Sequence, residues 1–115
     1  MIAHIVLFRP RPDLSNVDRQ GLIDGLEAAF RAIPSVRRTH IGPRVTHGRP
    51  GYEQKMRVDF PYAAVLEFDD MEGLAAFLEH PAHKQLAPRF FGALEEGLIY
   101  DYEMKSGAAA FGTLV

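Results

Sequence analysis

Ile2-Ala3-His4-Ile5-Val6-Leu7-Phe8, closed by Arg9-Pro10-Arg11-Pro12, is the stretch from which the fold is read. It is rich in β-branched and aromatic residues and too short for a helix of ordinary length, so it predicts a strand. Both of its faces are apolar, which places it centrally, covered on both sides. Period-2 alternation puts His4, its one polar residue, on the face of Ile2, Val6 and Phe8; Ala3, Ile5 and Leu7 take the other. Tyr62-Ala63-Ala64-Val65-Leu66-Glu67-Phe68 repeats the pattern, with Tyr62, Ala64, Leu66 and Phe68 on one face.

Between these strands, Ser15-Asn16-Val17-Asp18 reads as a helix start with Ser15 as N-cap and an acid three residues on. Leu22, Leu26, Ala29, Phe30 and Ile33 follow at helical spacing, and Pro34 stops the helix. Val36 to Val45 predicts a second, more polar strand broken at Gly42-Pro43. Residues 46–61 predict a long loop, with Gln54 to Val58 a candidate edge extension. After Phe68, Asp69 or Asp70 caps a short helix through His80, with Leu74, Phe77 and Leu78 inward. Pro81 interrupts it, a further helix from about His83 to Glu96 presents Leu86, Phe90 and Leu94, and Gly97 ends that helix. Leu98 to Met104 completes the strands.

The order β-α-β-β-α-β is the split βαβ, or ferredoxin-like, α+β pattern: a four-stranded antiparallel sheet with the helices on one face. The other face is left bare. An apolar sheet face of that size invites association, so a second copy is its economical cover, and a homodimer through the sheet face is expected. Residues 1–105 form the expected domain. The tail from residue 106 is small and flexible until Phe111, Leu114 and Val115, which fray or lie on the partner or a sheet edge.

With 115 residues there is room for one domain and one core. A net charge of −2 with scattered basic residues gives no reason to propose a nucleic-acid or anionic-membrane partner. The absence of cysteine excludes thiolate catalysis and thiolate metal sites. The apolar N-terminus is too short for a signal peptide or a span, and a cytoplasmic protein is expected.

Met1-Ile2-x-His4-Ile5-Val6-Leu7-Phe8 and His80-Pro81-Ala82-His83 after an amphipathic helix join Ile33-Pro34-x-Val36, Gly42 and Tyr100-Asp101-Tyr102-Glu103 in one order. Together they resemble the stress-responsive dimeric A/B barrel (Dabb) family from about residue 1 to 104, with a longer 46–61 loop. The resemblance implies a dimeric α/β barrel in which two sheets pack face to face. It leaves function open between stress-induced proteins of unknown activity and plant polyketide cyclases, which close a ring by aldol condensation and need no cofactor.

In the cyclase-like members a pocket lies between sheet and helices. Laid on that pattern, His4 matches a pocket histidine and His83 the base or hydrogen-bonding position. Ile23, Leu26 and Ala64 match lining positions. Phe77 and Leu26 stand where the cyclases carry tyrosines, and Tyr62 stands where they carry a histidine. Neither Phe77 nor Leu26 can hold an enolate oxygen or pass a proton.

Ring closure needs a base beside a carbonyl and a donor for the oxyanion, roles that His83 and protonated His4 would fill. Packing histidines at the helix–sheet junction is the competing reading. His80 is expected to bond the free carbonyls of the helix end it closes. His40 and His47 are expected to be solvated, and no metal site is expected. The functions that compete are a small-molecule-binding dimer for an aromatic or acyl ligand, a cofactor-independent cyclase- or monooxygenase-like enzyme, and a self-assembling structural domain.

Overall fold

The computed structural model describes residues 1–115. The elements are β1 (Ile2–Pro10), α1 (Asn16–Ala32), β2 (Arg38–Pro43), β3 (Tyr62–Phe68), α2 (Met71–Glu79), α3 (Pro81–Gly92) and β4 (Leu94–Glu103). The sheet order is β2-β3-β1-β4 with every neighbouring pair antiparallel. The two-sided apolar strands β1 and β3 are therefore the central pair. The polar strands β2 and β4 take the edges, where fewer side chains leave water.

The helices cover one face. Ile2, Val6 and Phe8 of β1 and Ala64, Leu66 and Phe68 of β3 pack with Ile33, Leu74 and Phe77. Phe68, Leu66 and Ile33 are the most completely buried large side chains, each contributing about 1.5–3 kcal/mol by leaving water. The opposite face carries Ala3, Ile5, Leu7, Val65, Leu98, Tyr100 and Tyr102 by strand register. Leu98, Tyr100 and Tyr102 on that face are 38%, 52% and 50% exposed, and the chain is a slab of 46 × 40 × 17 Å.

Helix starts follow capping chemistry. Ser15 Oγ accepts from the Asp18 backbone N–H at 3.1 Å. Asp70 Oδ1, not Asp69, accepts from Gly73 N–H at 2.9 Å, and Asp69 instead pairs with Arg37 at 2.8 Å. His80 departs from expectation. Rather than donating to the carbonyls that end α2, its Nδ1 accepts from Ala82 N–H at 3.0 Å and so opens α3. Pro81 at the first helical position makes this efficient, since its missing N–H needs no partner there.

Other boundaries move. Helix α3 ends at Gly92, and β4 begins at Leu94 instead of Leu98. Leu94 fits a helical stripe with Leu86 and Phe90, but it also fits the strand that pairs β1 back to Pro10, with a register shift between Arg9 and Pro10. Gly97 is thus inside β4. A Cβ there would lie 3.0 Å from Leu94 Cδ1 and 3.4 Å from the Leu7 carbonyl oxygen, so close packing, not a helix end, uses this glycine. Strand β2 covers Arg38–Pro43, shorter at both ends than Val36 to Val45.

The long loop makes one 3₁₀ turn, Glu53–Lys55, and no edge strand. Glu53 accepts from the Gly48 and His47 backbone N–H groups, first and foremost Gly48, and these bonds hold its carboxyl below the ordinary value. His40 and His47, expected in solvent, are exposed but paired, His40 to Glu67 at 2.8 Å and His47 to Glu53 at 3.4 Å. The last residues turn as a 3₁₀ helix, Ala108–Leu114, with Phe111 and Leu114 exposed.

Candidate functional site

Helix α1 positions the site by what it fails to bury. Of its apolar stripe, Ala29 and Ile33 are buried, whereas Leu22, Leu26 and Phe30 are only half-covered. Gly25 meets Leu86 of α3, where a Cβ would come 3.6 Å from Leu86 Cδ1, so α1 packs sideways on α3. Its N-terminal half stands off the sheet. The gap is a cleft of about 600 Å³ whose apolar walls include Phe8, Leu22, Ile23, Leu26, Phe30 and Ile41. That volume lies in the range of small-molecule sites, ~300–1,000 Å³.

At its inner end the cleft meets a small cavity of about 60 Å³. Leu26, Phe30, Phe8 and Ile41 line both spaces, and His4, His83, Phe77 and Ala64 line the inner one. The sequence therefore brings His4, His83, Leu26, Ala64 and Phe77 together. Ile23 and Tyr62 lie elsewhere. Both face the outer cleft, where Tyr62 stacks on Phe8 with centroids 5.7 Å apart, at the far end of β3 from Phe68 and beside Pro43 of β2.

The two histidines flank Phe77. Its ring centroid is 5.6 Å from that of His4 and 4.5 Å from that of His83. His83 Nδ1 lies 3.1 Å from the Leu78 carbonyl oxygen. A carbonyl only accepts, so Nδ1 carries the proton and Nε2 of the neutral ring is a free acceptor. Burial pushes the His83 pKa below 6.5, and proximity to His4 adds to this, while the bond to Leu78 opposes it. His83 is thus held neutral, with a bare nitrogen.

His4 is buried, and its Nδ1 lies 2.6 Å from Asp101 Oδ1. A carboxylate accepts, so here too the proton sits on Nδ1, and Nε2 is the other nitrogen. Asp101 is the site residue that motif reading missed. No pattern in the sequence pointed to it, because the β1–β4 register is what sets Asp101 beside His4 on the same face. His80 takes no part, since its Nδ1 is occupied as an acceptor at the α3 cap.

An antiparallel four-stranded sheet of this order, with helices on one side and an apolar cleft between the layers, defines a ferredoxin-like α+β domain. Within that class the chain belongs to the stress responsive A/B barrel domain family, whose model matches residues 2–104. It is similar to the stress-response A/B barrel domain-containing protein HS1 of Arabidopsis thaliana, 24% identical over 105 residues and 91% of each chain. Its fold is similar to that of the hydroxynitrile lyase from Passiflora edulis, with TM-score 0.76 and 21% identity over 92% of this chain and 94% of that one. A dimeric ferredoxin-like protein of unknown function from Thermobifida fusca gives TM-score 0.68 and 20% identity over 90% of each chain.

Proposed function

We propose that this protein is a homodimeric small-molecule-binding protein whose ligand lies in the cleft under α1, with a hydroxyl or other hydrogen-bond donor directed at His83 Nε2. The observation that carries the reading is that the apolar cleft shares four walls, Phe8, Leu26, Phe30 and Ile41, with the cavity holding His83 and His4. An apolar body fits the Phe8, Leu26 and Phe30 walls. The inner end asks for donors, because Leu78 occupies His83 Nδ1 and Asp101 occupies His4 Nδ1, which leaves the Nε2 atoms as acceptors. The dimer reading rests on the uncovered sheet face and on the dimeric state of the Thermobifida fusca protein of similar fold. Decane-α,ω-diol is a suitable probe. NMR titration with the probe should shift the ring resonances of His83, and His83→Ala should weaken binding by more than about ten-fold, as loss of a strong hydrogen bond does. Equal affinity in wild type and His83→Ala would reject the site.

One geometric feature favours a catalytic second reading. The pair consists of a neutral imidazole with a free Nε2 and a histidine oriented by a carboxylate, the arrangement a general base and its neighbour need. Against it, Phe77 packs on both rings and supplies no hydroxyl. Phe77→Tyr is expected to raise any aldol or lyase turnover; no turnover in either form leaves binding as the function.

A further inference from the structure

The outer end of the cleft is chemically unlike the inner one. Arg19 extends the Leu22–Leu26 stripe one turn toward the start of α1 and lines the cleft there, beside Leu14 and Pro10. The other charged groups of the lining are already engaged or directed away. Glu27 pairs with Arg31 at 2.6 Å and Arg37 with Asp69 at 2.8 Å. Arg38 also borders the cleft and has no ion pair, but it lies opposite Glu67 in the β2–β3 register, so alternation puts its side chain on the sheet face turned away from the helices. Arg19 has no carboxylate partner. Its one hydrogen bond runs from Nε to the Leu14 carbonyl at 3.4 Å, leaving both terminal nitrogens free.

We infer that the cleft takes an amphipathic carboxylate, bound with its anion on Arg19 and its apolar chain running inward toward His83. The inference rests on the cleft being a ligand site, and it fixes the ligand's chemical class and direction. Direction follows from charge. An anion at the inner end would meet a neutral His83 whose free nitrogen only accepts, with the Asp101 carboxylate 2.6 Å behind His4. At the outer end it meets a guanidinium able to bind a carboxylate through two N–H groups. Length follows from the helix. Arg19 and Leu26 are seven residues apart, a rise of about 10 Å, so a medium-length chain spans from the guanidinium to the inner cavity. A hydroxy acid satisfies both ends, with its carboxylate on Arg19 and its hydroxyl donating to His83 Nε2.

Calorimetry with ω-hydroxydecanoate and decane-α,ω-diol separates the two ends, because the ligands differ only in the anion. Wild-type protein should bind the hydroxy acid at least about ten-fold more tightly than the diol. Arg19→Gln should abolish that preference by bringing acid affinity down to that of the diol, and Arg19→Lys should keep part of it. His83→Ala should weaken both ligands and preserve the preference. Equal binding of acid and diol by the wild type, or a preference surviving Arg19→Gln, would overturn the assignment of the anion to Arg19 and leave the cleft standing as a site. Failure of both ligands to bind would overturn this inference and the cleft reading together.

Discussion

His83 couples the candidate site to acid stability, and the sign follows from its surroundings. Its folded pKa lies below 6.5 because burial disfavours the charged ring. Above 6.5 the ring is neutral in both folded and unfolded chains and contributes no pH dependence. As pH falls through 6.5 the unfolded chain takes up a proton that the folded chain resists, so stability drops; the loss levels off below the folded pKa. Urea titrations should therefore show wild type losing more stability than His83→Gln between about pH 7 and pH 5. Equal losses would mean that protonation of His83 is not resisted in the fold. The presence of two histidines at this site was legible in the strand alternation and the His-Pro-x-His motif. Which nitrogen of each is free was not, because that depends on Leu78 and Asp101, groups five and ninety-seven positions away in sequence.

At the level of elements, Asp69 and Asp70 look interchangeable in sequence and do different work in the structure. Asp70 receives the Gly73 N–H and satisfies a donor that α2 leaves free, whereas the Asp69–Arg37 pair is exposed on both sides. Asp70→Ala should cost about 1 kcal/mol in chemical denaturation and Asp69→Ala well under that, in line with cap and surface-pair magnitudes. A larger loss from Asp69→Ala would reverse the assignment. The α3–β4 boundary shows where local pattern runs out. Leu94 satisfies the period of a helix with Leu86 and Phe90, yet it opens β4, where the register shift beside Pro10 lets its side chain pack on the helix-covered core. Pairing with β1 decides between them, since each strand residue gained brings ladder bonds that a helix end lacks. Ile23 illustrates the converse. It sits on the correct helix and near the correct face, yet the tilt of α1 places it at the outer cleft and leaves it more than half exposed.

For the whole molecule, the proposed dimer places Leu98, Tyr100 and Tyr102 against the same face of a second copy. Leu98 is 38% exposed and Tyr100 52% in the lone protomer, although both neighbour the central strand. An interface of this kind should bury at least ~1,200–2,000 Å² in total. Sedimentation equilibrium at micromolar concentration should give a dimer, and Leu98→Glu should shift it toward monomer by placing an unpaired charge in the interface. A stable wild-type monomer would refute the assembly. The amino-acid sequence by itself determined the element order, the central place of β1 and β3, the residues with which His4 shares a face, and the expectation that one face of the sheet is left bare. All of these follow from periodicity and from turn and cap residues, which act over a few positions of chain. Only the tertiary structure decided that α1 stands off the sheet and opens a cleft, that Asp101 meets His4, that His80 opens α3, and that Arg19 is left without a carboxylate. Each of those depends on how separate elements are placed in space, and no local pattern encodes the distance between two helices or the partner of a side chain across a sheet.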